Sequence, residues 1–106
     1  LDPSHPERPA RIAAIYEELL MTGLLSGCRR FPVRNAKEEE LESVHTSEWA
    51  QKANGYGEAP IADLVFEARR YDSIFMNESS VGCAYMSAGA TLEITEKVVR
   101  GACKNG

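Results

Sequence analysis

Hydrophobic positions near the start of the chain predict an amphipathic helix over residues 9–22. The apolar side chains recur at intervals of three and four residues, which places them on one face of a helix. Pro9 suits the first turn because its missing N–H would lack a partner there in any case, and Gly23 is predicted to end the helix. The apolar face comprises Ile12, Ile15, Tyr16, Leu19 and Leu20.

The segments after this helix show shorter secondary-structure patterns. Residues 28–33 hold two strand-forming side chains around Pro32, a pattern typical of an edge strand or a strand end. Asn35 and Glu38 have the spacing of a capping box, which predicts a short acidic helix over residues 36–44 with Leu41 and Val44 facing inward.

Residues 45–47 should break that helix, and Thr46 or Ser47 can cap a second short helix that reaches about Ala53. Residues 54–57 read NGYG, a turn signal. No sustained period follows up to about Ser80, although residues 62–69 could make two helical turns. A loop of this length is typical of a functional or disordered segment.

The last element is a predicted helix over residues 80–100, which Gly101 ends. Small side chains at residues 87–90 would allow close packing against a sheet or another helix. The helix face contains Val81, Ala84, Tyr85, Ala88, Leu92, Thr95, Val98 and Val99. An all-helical bundle is possible, but the single strand favours part of an α/β fold because a strand cannot stand alone.

Composition narrows the function classes. The chain has 106 residues, 43% of them hydrophobic and 26% charged, which is a globular composition. Its net charge of −4 makes it a poor general nucleic-acid binder, because phosphate contacts need a basic surface. No apolar run approaches the roughly 20 residues that span a bilayer. Three widely spaced cysteines do not make a disulfide framework.

Few residues carry an obvious chemistry. Neither His5 nor His45 has a partner at metal-ligand spacing, and no phosphate-binding glycine motif occurs. His45 is either an acid, base or ligand, or a buried or half-buried side chain that holds a turn, and the second interpretation is favoured. His5 lies on a stiff His-Pro step that either borders a pocket or makes a simple turn. The cysteines are interpreted as packing or surface residues.

Four segments along the chain carry a family resemblance. Residues 4–12 read SHPERPARI, and residues 40–49 read ELESVHTSEW. Residues 71–75 read YDSIF, and a helix beginning near CAYMSAGA at 83–90 leads to GACKNG at 101–106. In this order the segments resemble the zinc-dependent histone deacetylase domain in its class II form, and they are closest to the tubulin-deacetylase and plant types, which these residues do not separate. Residues 55–70 match poorly, and Trp49 replaces the commoner tyrosine.

The resemblance implies the N-terminal part of the arginase/deacetylase fold, an α/β domain whose parallel sheet is flanked by helices, with this stretch itself mostly helical. Residues 1–106 would be a partial deacetylase domain, truncated at both ends. The parent enzyme would hydrolyse acetyl-lysine with zinc. The zinc ligands and the catalytic residues would lie after Gly106, so this chain would hold no metal and no catalytic residue.

Site residues follow from the same resemblance. Asp2, His5 and Pro6 correspond to the first loop bordering the substrate channel, and Ser73 corresponds to a serine that hydrogen-bonds the backbone of acetyl-lysine. An arginine near the product-exit pocket corresponds to Arg8 or Arg11, and Arg8 is preferred. His45 and Asp72 are expected to be structural.

The implied partner is an acetylated lysine protein or peptide, histone or tubulin-like, in the nucleus, the cytoplasm or both. No direct nucleic-acid or membrane partner is expected. The alternative is a small helical protein-interaction module without catalysis, which would unfold cooperatively as an isolated chain. A deacetylase fragment should instead be loose and prone to aggregation, because the apolar face of its last helix would lack a sheet.

Overall fold

The computed structural model describes residues 5–106, and these residues form five α-helices and one short 3-10 helix without any β-strand. The chain divides into two units, Leu1–Phe31 and Pro32–Gly106. The first unit contains α1 and the 3-10 helix, and the second contains the other four helices. The elements are α1 (Ala10–Met21), the 3-10 helix (Leu24–Gly27), α2 (Glu38–Glu42), α3 (Ser47–Gly55), α4 (Ile61–Ala68) and α5 (Ser80–Val99).

Helix α1 confirms the first prediction. It ends where Gly23 takes the left-handed conformation, with φ of 74°. The Thr22 and Gly23 amides donate to the Glu18 and Leu20 carbonyls at 2.9 and 3.1 Å, which satisfies the end of the helix. Of the predicted apolar face, Leu19 is half-buried and the other four side chains are exposed.

The predicted strand at residues 28–33 is wrong. This segment is irregular, although Cys28 has an extended backbone with φ of −91° and ψ of 131°. A strand needs a neighbour to pair with, and Pro32 has no N–H to donate to one. Within residues 5–106 the observed structure is therefore helical, as expected for this stretch itself.

Helix α2 exists but is shorter than predicted. Its first turn is closed by Glu40, whose carboxylate accepts a 2.7 Å hydrogen bond from the Lys37 amide. The proposed Asn35–Glu38 capping box is therefore wrong by two residues. Because the helix stops at Glu42, Val44 turns away and is 77% exposed, which corrects the prediction that it faces inward.

Helices α3 and α4 lie between the acidic helix and α5. The Thr46 hydroxyl accepts from the Trp49 amide at 3.2 Å, so the predicted cap of α3 is confirmed. Helix α4 buries Leu64 and Ala68, and it shortens the expected loop to the residues on either side of it.

Helix α5 is crossed by an irregular segment at residues 34–36. Arg34 anchors this segment: its two terminal nitrogens bind both carboxylate oxygens of Glu40 at 2.7 Å, and its Nε binds Glu93 of α5 at 3.0 Å. A Cβ on Gly89 would clash with the Arg34 carbonyl oxygen, which explains why a small residue lies there.

The buried hydrophobic core of the described chain is small. It consists of Ala36, Ala50, Leu64 and Ala68, and only Leu64 has a large side chain. None of the helices in residues 5–106 combines the length and the apolar character that crossing a membrane requires.

Candidate functional site

Two of the predicted channel residues, His5 and Pro6, begin the described part of the first unit. His5 is half-buried and Pro6 is exposed. Nδ1 of His5 lies 3.1 Å from both the amide nitrogen and the carbonyl oxygen of Glu7. When the ring carries its proton on Nε2, Nδ1 accepts from the Glu7 amide, and this contact fixes the ring beside the backbone. The predicted residue Asp2 lies outside the described residues.

The two candidate arginines have different surroundings. Arg8 is exposed, and its carbonyl oxygen accepts from the Arg11 amide at 3.0 Å as α1 begins. The Arg11 side chain makes an ion pair with Glu7, Nε to Oε1 at 3.4 Å. This pair is exposed, so its contribution to stability is small. The structure leaves the choice of Arg8 as a prediction.

The remaining predicted residue, Ser73, lies in the second unit on the loop after α4. Its φ of 57° is the left-handed conformation, and it is the non-glycine residue of the described chain in which φ is positive. A side chain in this conformation costs roughly 1–2 kcal/mol, so neighbouring contacts must hold it. Backbone strain of this kind is often found where a side chain must point in a defined direction.

The loop that carries Ser73, residues 71–76, borders two hollows of the second unit. The larger is an apolar groove of about 400 Å³ between this loop, α3 and α5, and the smaller has a volume of about 230 Å³. The groove is lined by Leu41, His45, Trp49, Ala50, Ala53, Tyr56, Tyr71, Ile74, Met76, Ser80, Val81, Ala84, Tyr85 and Ala88. Ser73 lines the smaller hollow together with the end of α4.

His45 differs from the favoured interpretation. Its side chain is exposed and lines the apolar groove, whereas a buried or half-buried histidine was expected. Its backbone does stabilise the turn, because the His45 amide donates to the Leu41 carbonyl at 3.0 Å. The turn is therefore closed by a main-chain N–H, which any residue except proline would provide at this position.

A carboxylate next to the loop receives four hydrogen bonds. Oε1 of Glu67 accepts from Nζ of Lys52 and from the Tyr56 hydroxyl, both at 2.8 Å, and from the Tyr71 hydroxyl at 3.3 Å. Oε2 accepts from Arg70 at 2.9 Å. Only 12% of the Glu67 side chain is exposed. We call this group, formed by Lys52, Tyr56, Glu67, Arg70 and Tyr71, the Glu67 cluster.

The Glu67 cluster shifts the titration of its members in a consistent way. Hydrogen bonds from Lys52 and then from Tyr56 hold the pKa of Glu67 at about 2, below its ordinary 4.5. The bond to Glu67 raises the pKa of Lys52. Desolvation, followed by the bond to Glu67, raises the pKa of Tyr56. At neutral pH the cluster therefore contains an ionised carboxylate, a protonated amine and a neutral phenol.

Metal-ligand chemistry has little support in this part of the chain. Across residues 5–106, no three histidine, cysteine, aspartate or glutamate side chains come together as a possible metal site. The free cysteines Cys28 and Cys83 are exposed, and Cys103 is half-buried. What the described residues do show is that Tyr71 lines both hollows of the second unit and that Ser73 lines the smaller one.

Sequence analysis missed Glu67. Its spacing to Arg70 and Tyr71 is the three- and four-residue spacing of helical neighbours, so a helix over residues 61–71 would have indicated those two contacts. Lys52 in α3 and Tyr56 at its C-terminal cap are likewise four residues apart. Which face of α3 meets Glu67 depends on tertiary packing, and no local pattern gives that.

Comparisons with known proteins agree with the resemblance. The family described as "Histone deacetylase domain" matches residues 5–106. The polyamine deacetylase HDAC10 of Homo sapiens is 34% identical over 100 residues, which cover 94% of this chain and 15% of that protein. The histone deacetylase HDA1 of Saccharomyces cerevisiae is 34% identical over 117 residues, covering 99% of this chain and 16% of that protein.

The chain therefore belongs to the histone deacetylase family. The polyamine deacetylase HDAC10 of Danio rerio is also similar, with 29% identity over 100 residues, 94% of this chain and 15% of that protein. These relatives confirm the predicted resemblance to class II deacetylase domains. The chain spans about one sixth of the length of the curated relatives it matches.

Proposed function

We propose that this chain is part of a deacetylase domain that hydrolyses acetyl-lysine, and that it supplies substrate-positioning loops to that domain. The match of residues 5–106 to the histone deacetylase domain carries the proposal. We call the longer protein that would contain the chain the parent protein. Its domain would have the α/β arginase/deacetylase fold, with a parallel sheet covering the exposed apolar helix faces.

Ser73 is the proposed substrate contact of the second unit. A hydroxyl at the rim of a channel can accept a hydrogen bond from a peptide N–H and thereby fix the direction in which the acyl-lysine side chain enters. The left-handed backbone of Ser73 supports this role, because it sets the direction of the hydroxyl at a cost that ordinary loop residues avoid.

Asp2, His5 and Pro6 are the proposed channel residues of the first unit. The contact between the His5 ring and the Glu7 backbone supports a wall with a fixed orientation, and a proline restricts the chain beside it. Arg8 is the proposed residue of the product-exit pocket, where a guanidinium would bind acetate through paired hydrogen bonds.

Zinc is the proposed cofactor of the parent protein, with its ligands and the catalytic residues supplied from outside this chain. When bound, it polarises the acetyl carbonyl and the attacking water. We propose an acetylated protein or peptide as the partner, a histone or a tubulin-like protein, encountered in the nucleus or cytoplasm, where the parent protein would repress transcription through chromatin. Nucleic acid and membranes are not among the proposed partners.

The proposal is tested by steady-state kinetics of the zinc-loaded parent protein on an acetyl-lysine peptide. We expect turnover, and we expect Ser73→Ala to raise KM roughly two- to tenfold, the factor that one hydrogen bond corresponds to. The matched control is Ser79→Ala, which removes an exposed hydroxyl at the start of α5. An acetylated polyamine, assayed in parallel, distinguishes the two substrate classes.

Absence of deacetylase activity from the zinc-loaded parent protein would contradict the proposed function. Equal KM values for Ser73→Ala and Ser79→Ala would leave the activity in place but remove Ser73 from the substrate contacts. Faster turnover of the acetylated polyamine than of the peptide would show that the substrate is a polyamine and not an acetyl-lysine protein.

A further inference from the structure

We propose that Glu67 is a positioning residue for Ser73. It holds the beginning of the loop at residues 71–76 against α3, and so sets the place of the Ser73 hydroxyl. The inference rests on the proposed contact between Ser73 and substrate. Glu67 itself lies at the end of α4 and acts through its hydrogen bonds.

The α3 side of the Glu67 cluster provides a fixed reference point. Lys52 in α3 and Tyr56 at its C-terminal cap are four residues apart, so they lie on the same side of the helix, and both bind the same carboxylate oxygen at 2.8 Å. Nζ of Lys52 also lies 5.5 Å from the ring centre of Trp49. Hydrogen bonds to a shielded, ionised carboxylate are stronger than those between neutral groups, so α3 and α4 are tied at this point.

The loop side of the cluster is the Tyr71 hydroxyl. Tyr71 comes three residues after the last residue of α4, its amide donates to the Ala68 carbonyl at 3.2 Å, and it lines the apolar groove. The hydroxyl contact with Glu67, at 3.3 Å, is the longest in the cluster. The same carboxylate therefore holds both α3 and the residue from which the loop departs.

Ser73 is two residues further along, and its conformation needs this support. A serine with φ of 57° relaxes to an extended or right-handed conformation when its neighbours do not hold it. If the Tyr71 end of the loop is released, Ser73 loses the contact that holds the chain two residues before it. The hydroxyl then samples other directions, and substrate binding weakens although the reacting groups are unchanged.

The first test is hydrogen exchange, in the intact parent protein, of the two hydrogen-bonded amides that flank the loop: Tyr71, which donates to the Ala68 carbonyl, and Asn77, which donates to the Ser80 hydroxyl. Glu67→Gln keeps the side-chain size and removes the charge. Tyr71→Phe removes only the hydroxyl and leaves the bonds of Lys52 and Tyr56 to Glu67. We expect exchange of these two amides to accelerate roughly three- to tenfold in both variants. The control, Glu58→Gln, removes the charge of an exposed glutamate between α3 and α4 and should change nothing.

The second test is the division of the effect between KM and kcat on an acetyl-lysine peptide. A positioning role predicts a KM raised roughly three- to tenfold with kcat near the value of the unmodified protein, because only substrate orientation suffers. A general structural defect would instead lower the active fraction, and with it the apparent kcat, at unchanged KM. Glu67→Asp, which keeps the charge, should recover part of the lost affinity.

Exchange of the Tyr71 and Asn77 amides equal to that of Glu58→Gln in both variants would overturn the proposal, and so would an unchanged KM in an active parent protein. A parent protein without deacetylase activity contradicts the proposed function instead. Its exchange rates would still decide whether Glu67 holds the loop. If Glu67→Gln does not fold, the exchange rates and KM of Tyr71→Phe test the proposal, because this variant removes a single hydroxyl.

Discussion

The Ala36 amide donates a 2.9 Å hydrogen bond to the Tyr85 carbonyl oxygen, and this bond anchors an irregular segment on the middle of α5. Gly89, one turn along the helix, leaves room for the approach, since a Cβ there would lie 2.6 Å from the Ala36 nitrogen. Arg34 binds Glu93 a further turn along. Three successive turns of α5 therefore fix the path of the segment that leads into α2.

Replacing Gly89 by alanine should destabilise the parent protein. The new methyl group would meet backbone atoms of residues 34–36, which cannot rotate away as a flexible side chain can. Alanine gains about 1 kcal/mol of helix propensity, but overpacking against fixed backbone costs roughly 1–3 kcal/mol, so we expect a net loss. Urea unfolding followed by circular dichroism measures it.

Gly82→Ala is the matched control for this substitution. Gly82 is also in α5, and a Cβ there would have no heavy atom of another segment within 4 Å. The same chemical change should therefore be neutral or stabilising by up to about 1 kcal/mol. Equal unfolding midpoints for the two variants would show that the close approach of residues 34–36 does not matter.

Ser73→Gly should separate stability from binding. Glycine adopts a positive φ without a Cβ penalty, which relieves roughly 1–2 kcal/mol, while its greater freedom in the unfolded chain costs about 0.5–1 kcal/mol. We expect the free energy of unfolding to stay level or rise slightly, and KM for an acetyl-lysine peptide to increase.

Ser73→Val should be less stable than both the serine protein and the glycine variant, because branching at Cβ disfavours a φ of 57°. A valine variant as stable as the serine protein would contradict this conformation.

The Arg34–Glu40 pair predicts a loss of stability in acid. Hydrogen bonds from Arg34 and from the Lys37 amide hold the pKa of Glu40 at about 2, against 4.5 ordinarily. Since the folded pKa is the lower one, this stabilisation is complete above about pH 4.5 and disappears as the pH falls towards 2. Glu40→Gln should be less stable at pH 7 and lose less on acidification.

Urea midpoints at pH 7, 4.5 and 3 measure the effect of this substitution. Glu38→Gln, a change at an exposed neighbour in the same helix, should keep the acid sensitivity of the unmodified protein. If Glu40→Gln loses as much stability on acidification as Glu38→Gln, the Arg34–Glu40 pair does not cause the acid sensitivity.

Local pattern predicted α1, α2, α3 and α5, whereas α4 lies in a region where only two possible helical turns within a long loop were expected. α1, the Thr46 cap of α3 and α5 depend on periodicity and caps, which neighbouring residues determine. The strand at residues 28–33 was predicted from side-chain type, but a strand requires a pairing partner that this signal does not report. Val44 fits an inward helical position, and it is exposed because α2 ends two residues earlier.

The candidate site also has features that the sequence predicts and features that depend on tertiary packing. The motif around Ser73 was visible in the sequence as a resemblance, whereas its left-handed backbone was not, because serine does not favour that conformation. The contacts of Glu67 join residues up to 15 positions apart, so they depend on how α3 and α4 pack. The small residues near Gly89 predicted close packing against a sheet or another helix. In the structure the irregular backbone of residues 34–36 occupies this space instead.

The isolated chain should unfold without a sharp transition. Within residues 5–106 the buried hydrophobic residues are three alanines and Leu64, while apolar side chains such as Val99, 80% exposed, and Phe66, 70% exposed, lie on the surface. A core of this size offsets little of the conformational entropy lost on folding. We expect broad urea curves and binding of a hydrophobic dye. A steep, cooperative transition would favour the alternative of an independent interaction module.

The most direct test of the central claim compares the isolated 106-residue chain with the parent protein in one deacetylation assay, with zinc content measured on the same samples. If this chain contributes positioning loops to a catalytic centre completed by the rest of the domain, the parent protein will turn over an acetyl-lysine peptide with stoichiometric zinc, and the isolated chain will do neither. Turnover with stoichiometric zinc by the isolated chain, or an inactive zinc-loaded parent protein, would contradict the account.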